Sequence, residues 1–117
     1  MFLLNAKGDK FWLNNEGIHF QEVEMNFDKK GKGVKTATAF IQFCCAKTRT
    51  PSKHVSSYGY KHKAESFGKE FNGFFENDSL ATYVTNGEFI YAAKMLGIQI
   101  YTVRNSINCY FNLRTLR

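Results

Sequence analysis

His62 stands three residues before Glu65, with Tyr58 and Lys61 within one helical turn of it, and this is the chain's nearest approach to a reactive cluster. Histidine, lysine and tyrosine are the residue types of metal-independent phosphodiester cleavage, where one group moves a proton and cations hold the phosphate. They define a nuclease or toxin reading centred on His62, set against a histidine that merely decorates a basic helix. His19 and His54 are isolated in an expected strand and loop. A metal site needs at least three converging ligands, and no Cys/His spacing supplies them, so neither metal nor cofactor is expected. Cys44 and Cys45 are adjacent and Cys109 makes the count odd, which suits neither an ordinary disulfide nor zinc; three reduced thiols in or near the core are expected. The connector Asp28-Lys-Lys-Gly-Lys-Gly33 has glycines and lysines but no Walker-type Gly-Lys-Ser/Thr, and reads as a loop tip.

The second chemistry is ionic. The net charge is +6, and the lysines and arginines gather in the middle of the chain, first at Lys29, Lys30, Lys32 and Lys35, then at Lys47, Arg49, Lys53, Lys61, Lys63 and Lys69. Such a balance favours an anionic partner and equally describes a solvated surface kept soluble by lysines. Tyr58, Tyr60, Tyr91, Tyr101 and Tyr110 interleave with these cations, the combination that neutralises phosphates and stacks on bases, or that lines the edge of an aromatic core. The two basic clusters fall at opposite ends of an expected long strand, so one compact patch holds only one of them. The expected binding surface is therefore Lys47, Arg49, Lys53, Lys61 and Lys63 with Tyr58, Tyr60 and His62.

These side chains need elements to position them. Thr85 followed by Glu88 is a capping box, so a helix starts there; Phe89, Ile90, Ala92, Ala93 and Leu96 give its apolar face, and Gly97 ends it. Two readings of the next stretch compete. Residues 89–108 fit a helix-turn-helix with Gly97 at the turn. Alternatively, Ile98–Val103 and Asn108–Leu113 are two strands joined by Arg104-Asn105-Ser106-Ile107, favoured because Ile100 and Tyr101 stand where a recognition helix exposes polar residues. At the N-terminus, Phe2–Leu4 and Lys10–Leu13 form a hairpin, and Ile18–Phe27 a strand with a bulge near Gln21. Val34–Lys47 alternates through Ala37, Ala39, Ile41, Phe43 and Cys45 and reads as the longest, most central strand, and Thr48–Val55 as a basic loop. Ser57 caps an amphipathic helix with Tyr60, Ala64, Phe67 and Phe71 inward, stopped by Asn72-Gly73; Phe74 and Phe75 return to the core, and a short helical turn through Leu80, Tyr83 and Val84 precedes Thr85.

The sum is one domain over residues 1–117, of α+β class, with a largely antiparallel sheet of about five to six strands and two to three helices on one face. There is no apolar run of about 18 residues for a membrane span. MFLLNAKGDK lacks a basic n-region and a long apolar core, so a cytosolic protein is expected.

The segments SSYGYKHKAE (56–65), YVTNGEFIYAAKMLG (83–97) and NCYFN (108–112) together resemble small uncharacterised proteins of bacteriophages and other mobile elements. The resemblance implies a setting in which short, cofactor-free proteins of the anti-CRISPR or anti-restriction type antagonise host defence. A non-enzymatic inhibitor of that type acts in the host cytoplasm by occupying a surface of a host effector protein or ribonucleoprotein complex, or its DNA or RNA. A basic chain is no acidic DNA mimic.

Overall fold

The computed structural model describes residues 1–116. Its elements are β1 (Leu3–Leu4), β2 (Lys10–Asn14), β3 (Gly17–His19), α1 (Lys32–Cys44), β4 (Cys45–Ser52), α2 (Ser57–Phe75), α3 (Asn86–Met95), β5 (Ile100–Thr102) and β6 (Cys109–Thr115). This is an α+β fold in which the strands divide into two antiparallel three-stranded sheets, ordered β1-β2-β3 and β4-β6-β5. The sheets touch through backbone: the Ala6 amide donates to the Ile100 carbonyl and the Ile18 amide to that of Ile107, each at 2.8 Å.

The locally encoded elements form as expected. Leu3 pairs with Phe11 in the N-terminal hairpin. At Thr85 both halves of the capping box are made: Oγ1 accepts from the Glu88 amide at 3.1 Å, and the Glu88 carboxylate accepts from the Thr85 amide at 2.8 Å. Gly97, at φ +79°, follows the helix end. Thr85→Ala removes one of these bonds and is expected to lower stability by about 1 kcal/mol in urea denaturation. Ile100 pairs with Phe111 and Thr102 with Cys109. Residues 98–113 are therefore a β-hairpin, and the recognition helix required by the helix-turn-helix reading of 89–108 is absent.

Val34–Lys47 is not a central strand. Its first eleven residues belong to α1, and only the tail from Cys45 enters β4. Val34, Ala37, Phe40 and Ile41 are buried, at spacings of three, three and one that fit a 3.6-residue period, whereas the alternating set would have buried Phe43, which is 74% exposed. The threonines that favoured a strand are accommodated by bonding back along the helix: Thr36 Oγ1 donates to the Lys32 carbonyl at 2.7 Å and Thr38 Oγ1 to that of Val34 at 2.8 Å.

Other boundaries also move. The strand expected over Ile18–Phe27 stops at His19; beyond it the chain is irregular, held by Asn26, whose Oδ1 accepts from the Asn15 amide at 2.7 Å. The expected basic loop from Thr48 is largely strand, because β4 is an edge whose pairing with β6 breaks register between Lys47 and Ser52. Pro51 falls in that break, where a missing N–H costs no ladder bond. Helix α2 continues past Asn72-Gly73 to Phe75 and ends at Glu76 in a left-handed conformation. Phe74 and Phe75 consequently stay outside the core. No helical turn forms over Leu80–Val84; instead the Asn72 side chain clamps Leu80, donating to its carbonyl and accepting from its amide.

The core lies where the three helices meet both sheets. Tyr60 stacks on Phe89 at 5.7 Å between ring centroids and 14° between planes, and Phe111 packs against both rings. Phe11, Leu13 and Ile18 bring in the first sheet, Ile100 and Leu113 the second. Cys45 and Cys109 are buried thiols and Cys44 is partly buried; burial raises Cys109, and burial with the neighbouring Cys44 pushes Cys45 up to about 12.

Candidate functional site

The first two turns of α2 are fixed from beneath. Ser57 Oγ, fully buried, accepts from the Cys109 amide at 3.1 Å, and the Tyr60 hydroxyl donates to the Leu113 carbonyl at 3.0 Å. Both bonds tie the helix to β6, so side chains on its flank are held by the sheet.

On that flank Glu65 gathers three donors. Its Oε2 accepts from the Val84 amide at 2.9 Å and the Lys61 ammonium at 3.2 Å, and its Oε1 lies 2.9 Å from His62 Nδ1. Burial alone would raise the carboxyl pKa; the Val84 amide, the Lys61 cation and His62 outweigh it and hold it below the ordinary value. Glu65 is thus an anion at neutral pH. A carboxylate only accepts, so Nδ1 of His62 is the donor in this contact. Nε2 has no hydrogen-bond partner among the described residues, and the side chain is half-exposed.

Lys61 and Glu65 have side chains only 8% and 10% exposed. The Lys61 ammonium also lies 5.2 Å from the Tyr58 ring centroid and 4.9 Å from that of Tyr83, so two aromatic faces supplement its one carboxylate. The rings themselves stay exposed, and Tyr58 meets His62 edge-on at 4.5 Å. The outcome is a cluster of three accessible rings, Tyr58, His62 and Tyr83, around an ion pair withdrawn from water.

The eight residues expected to bind do not share one face. Tyr58 and His62 belong to the cluster as accessible groups. Lys61 is at its centre but buried, and Tyr60 is core, its hydroxyl engaged and, through burial and Cys45, pushed up to about 12. Lys63 is about 100° around the helix from His62 and lines a groove with Phe43 and Phe67. Lys47 lies beside Gly97 where α3 passes into β5, and Arg49 and Lys53 are exposed on and just beyond β4. Sequence reasoning missed Tyr83 and Val84, which reach Lys61 and Glu65 from the segment before α3. The signal available was an aromatic residue beside a capping box, with nothing to say which helix it faces.

His19 Nε2 is engaged by Asn14 Oδ1 at 2.8 Å, and no group of three His, Cys, Asp or Glu residues is placed to hold a metal ion among the described residues. A cleft of about 640 Å³ lies between the β1–β2 turn and the β5–β6 hairpin, lined by Lys7, Asp9, Phe20, Tyr101 and Arg104 among others. It shares no residue with the cluster. Its charged groups are all exposed, whereas the cluster contains the desolvated charges that mark functional sites. No protein-family model, curated protein or solved structure matches this chain.

Proposed function

We propose that this is a small, non-enzymatic, phage-type binding protein that takes hold of single-stranded nucleic acid and so modulates a host nucleic-acid machine, in the manner of a host-defence inhibitor acting in the host cytoplasm. The observation that carries the reading is the exposure of Tyr58, His62 and Tyr83 around the Lys61–Glu65 pair. Exposed aromatic faces on a rigid support stack on bases regardless of sequence, and the net charge of +6 attracts the backbone. With the lysines dispersed, stacking supplies most of the affinity and counterion release little.

The test is fluorescence anisotropy with labelled single-stranded RNA and DNA, and a duplex control, across a salt series. Tyr58→Ala and Tyr83→Ala are each expected to weaken single-strand binding about tenfold or more, with the duplex bound less well. Absence of binding to any single strand, or indifference to both substitutions, rejects the reading.

One observation favours a second reading, the nuclease or toxin. Glu65 holds His62 Nδ1 at 2.9 Å, and Nε2 of this half-exposed side chain has no hydrogen-bond partner among the described residues, the arrangement a proton-transferring histidine needs. Cleavage of labelled RNA in the presence of a chelator, lost in His62→Ala, would support it. Intact RNA after incubation with the wild-type protein would dismiss it.

A further inference from the structure

The two most exposed large apolar side chains among the described residues are Phe74, at 80%, and Phe43, at 74%. Neither is scattered at random. Phe43, at the C-terminal end of α1, lines a groove of about 520 Å³ between α1 and α2, together with Lys63, Ser66, Phe67, Glu70 and Leu116 among others. Residues 63, 67, 70 and 74 follow one another at intervals of four, three and four, so Phe74 continues the same stripe of α2 one turn past Glu70. There it joins a clasp of rings, 4.9 Å from Phe75, which is in turn 4.6 Å from Phe71. A stripe at this spacing in which rings alternate with charges, Lys63, Phe67, Glu70 and Phe74, is a helix face suited to packing against another helix.

The charges on the stripe specify which helix. Among the described residues Lys63 and Glu70 are the groove's charged ones, one of each sign, on a chain whose net charge is +6. They lie symmetrically about a point between Ser66 and Phe67. A twofold axis through that point, with two α2 helices antiparallel, puts Lys63 of each copy opposite Glu70 of the other, both pairs being made by one operation. The same axis carries Phe74 of one copy towards the Phe43 end of the groove in the other, so each exposed ring finds apolar cover. A parallel arrangement would set Lys63 against Lys63 and Glu70 against Glu70. We propose that the α1–α2 groove is a self-association surface, through which two copies of this chain form an isologous dimer with antiparallel α2 helices. The rings supply the affinity; the exposed ion pairs, weak individually, fix the orientation. The surface lies on the flank of α2 away from the Tyr58–His62 cluster, so dimerisation leaves those rings accessible and the dimer carries two of them.

Sedimentation equilibrium of the full chain over a wide concentration range tests this without reference to nucleic acid. The wild type is expected to show a reversible monomer–dimer equilibrium. Lys63→Glu and Glu70→Lys, both at exposed positions, are each expected to weaken it at least about tenfold, since two attractive pairs become two repulsive ones. Mixing the two variants in equal amounts is expected to restore dimer, because the first then presents two acidic positions to the two basic positions of the second; the double variant is expected to associate like the wild type. Phe74→Ser is expected to weaken association in every one of these backgrounds. A wild type that stays monomeric at its highest attainable concentration overturns the proposal. So does a dimer indifferent to both charge reversals, or a mixture that recovers nothing.

Discussion

Replacing Glu65 with alanine is expected to cost about 3–5 kcal/mol of folding stability, the largest loss available from a single polar side chain in this molecule. The substitution strands three donors at once: the Lys61 ammonium, the Val84 amide and His62 Nδ1. Lys61 then remains as a charge with a side chain 8% exposed, balanced only by the faces of Tyr58 and Tyr83. Chemical denaturation followed by circular dichroism measures the loss, and a value below about 1 kcal/mol would show that the pair is solvated and that the site is not preorganised. Lys61→Met with Glu65→Leu, which removes both charges, is expected to recover part of the stability. The pH dependence has a definite sign. Because the folded pKa of Glu65 is lowered, its contribution is fully present above the ordinary carboxyl value of about 4.3 and fades as the pH falls through the lower folded value. The stability gap between wild type and Glu65→Gln should therefore narrow as the pH falls below the ordinary carboxyl value, where the carboxylate that distinguishes them takes up a proton.

The second large effect is expected from Gly87→Ala. In an isolated helix this change helps, by up to about 1 kcal/mol. Here a methyl group at residue 87 would overlap the Asn14 carbonyl oxygen and crowd the ring of Phe27, because the first turn of α3 lies directly on the β2–β3 turn, with the Gly87 amide donating to the Asn15 carbonyl at 3.2 Å. Backbone cannot yield as a flexible side chain does, so the expected penalty exceeds about 4 kcal/mol or the folded protein is not recovered. Gly73→Ala is the matched control. It lies inside α2 with open space where its methyl would go, and it should raise the melting temperature by a few degrees, consistent with about 0.5–1 kcal/mol. Equal responses at the two positions would contradict the packing of α3 on the first sheet.

What the sequence made legible divides by the range of the interaction. Thr85 and Glu88 declare a helix start in four residues, and Tyr60 and Ala64 declare the buried face of α2, with Phe67 half-buried at its edge. The pair His62 and Glu65, three apart, was likewise visible as a cluster before any fold was known. Val34–Lys47 reads as a strand because β-branched and aromatic residues there satisfy two periods at once, and only the packing of Val34–Cys44 against α2 and α3 chooses the longer one. The eight residues expected to bind fall on different faces for a related reason. Lysines at 61 and 63 are neighbours in sequence but point about 160° apart on a helix, one into an ion pair and one into a groove. Tyr83 is 22 positions from Lys61, and no local pattern announces that contact.

The order of strands in the second sheet bears on how the molecule is made. β6, the last strand in chain order, is the middle one, flanked by β4 and β5. While the polypeptide is still being synthesised, those two strands have no ladder partner in that sheet. The anchors of α2 are also missing, since Ser57 waits for the Cys109 amide and Tyr60 for the Leu113 carbonyl. A nascent chain that has emerged as far as Ser106 can close its N-terminal hairpin and wind its helices, but it exposes the edges of β4 and β5 and an undocked aromatic core to whatever surrounds the ribosome. Only when residues 109–115 emerge does one strand satisfy both edges and both anchors together, so the support beneath the Tyr58–His62 cluster waits for them.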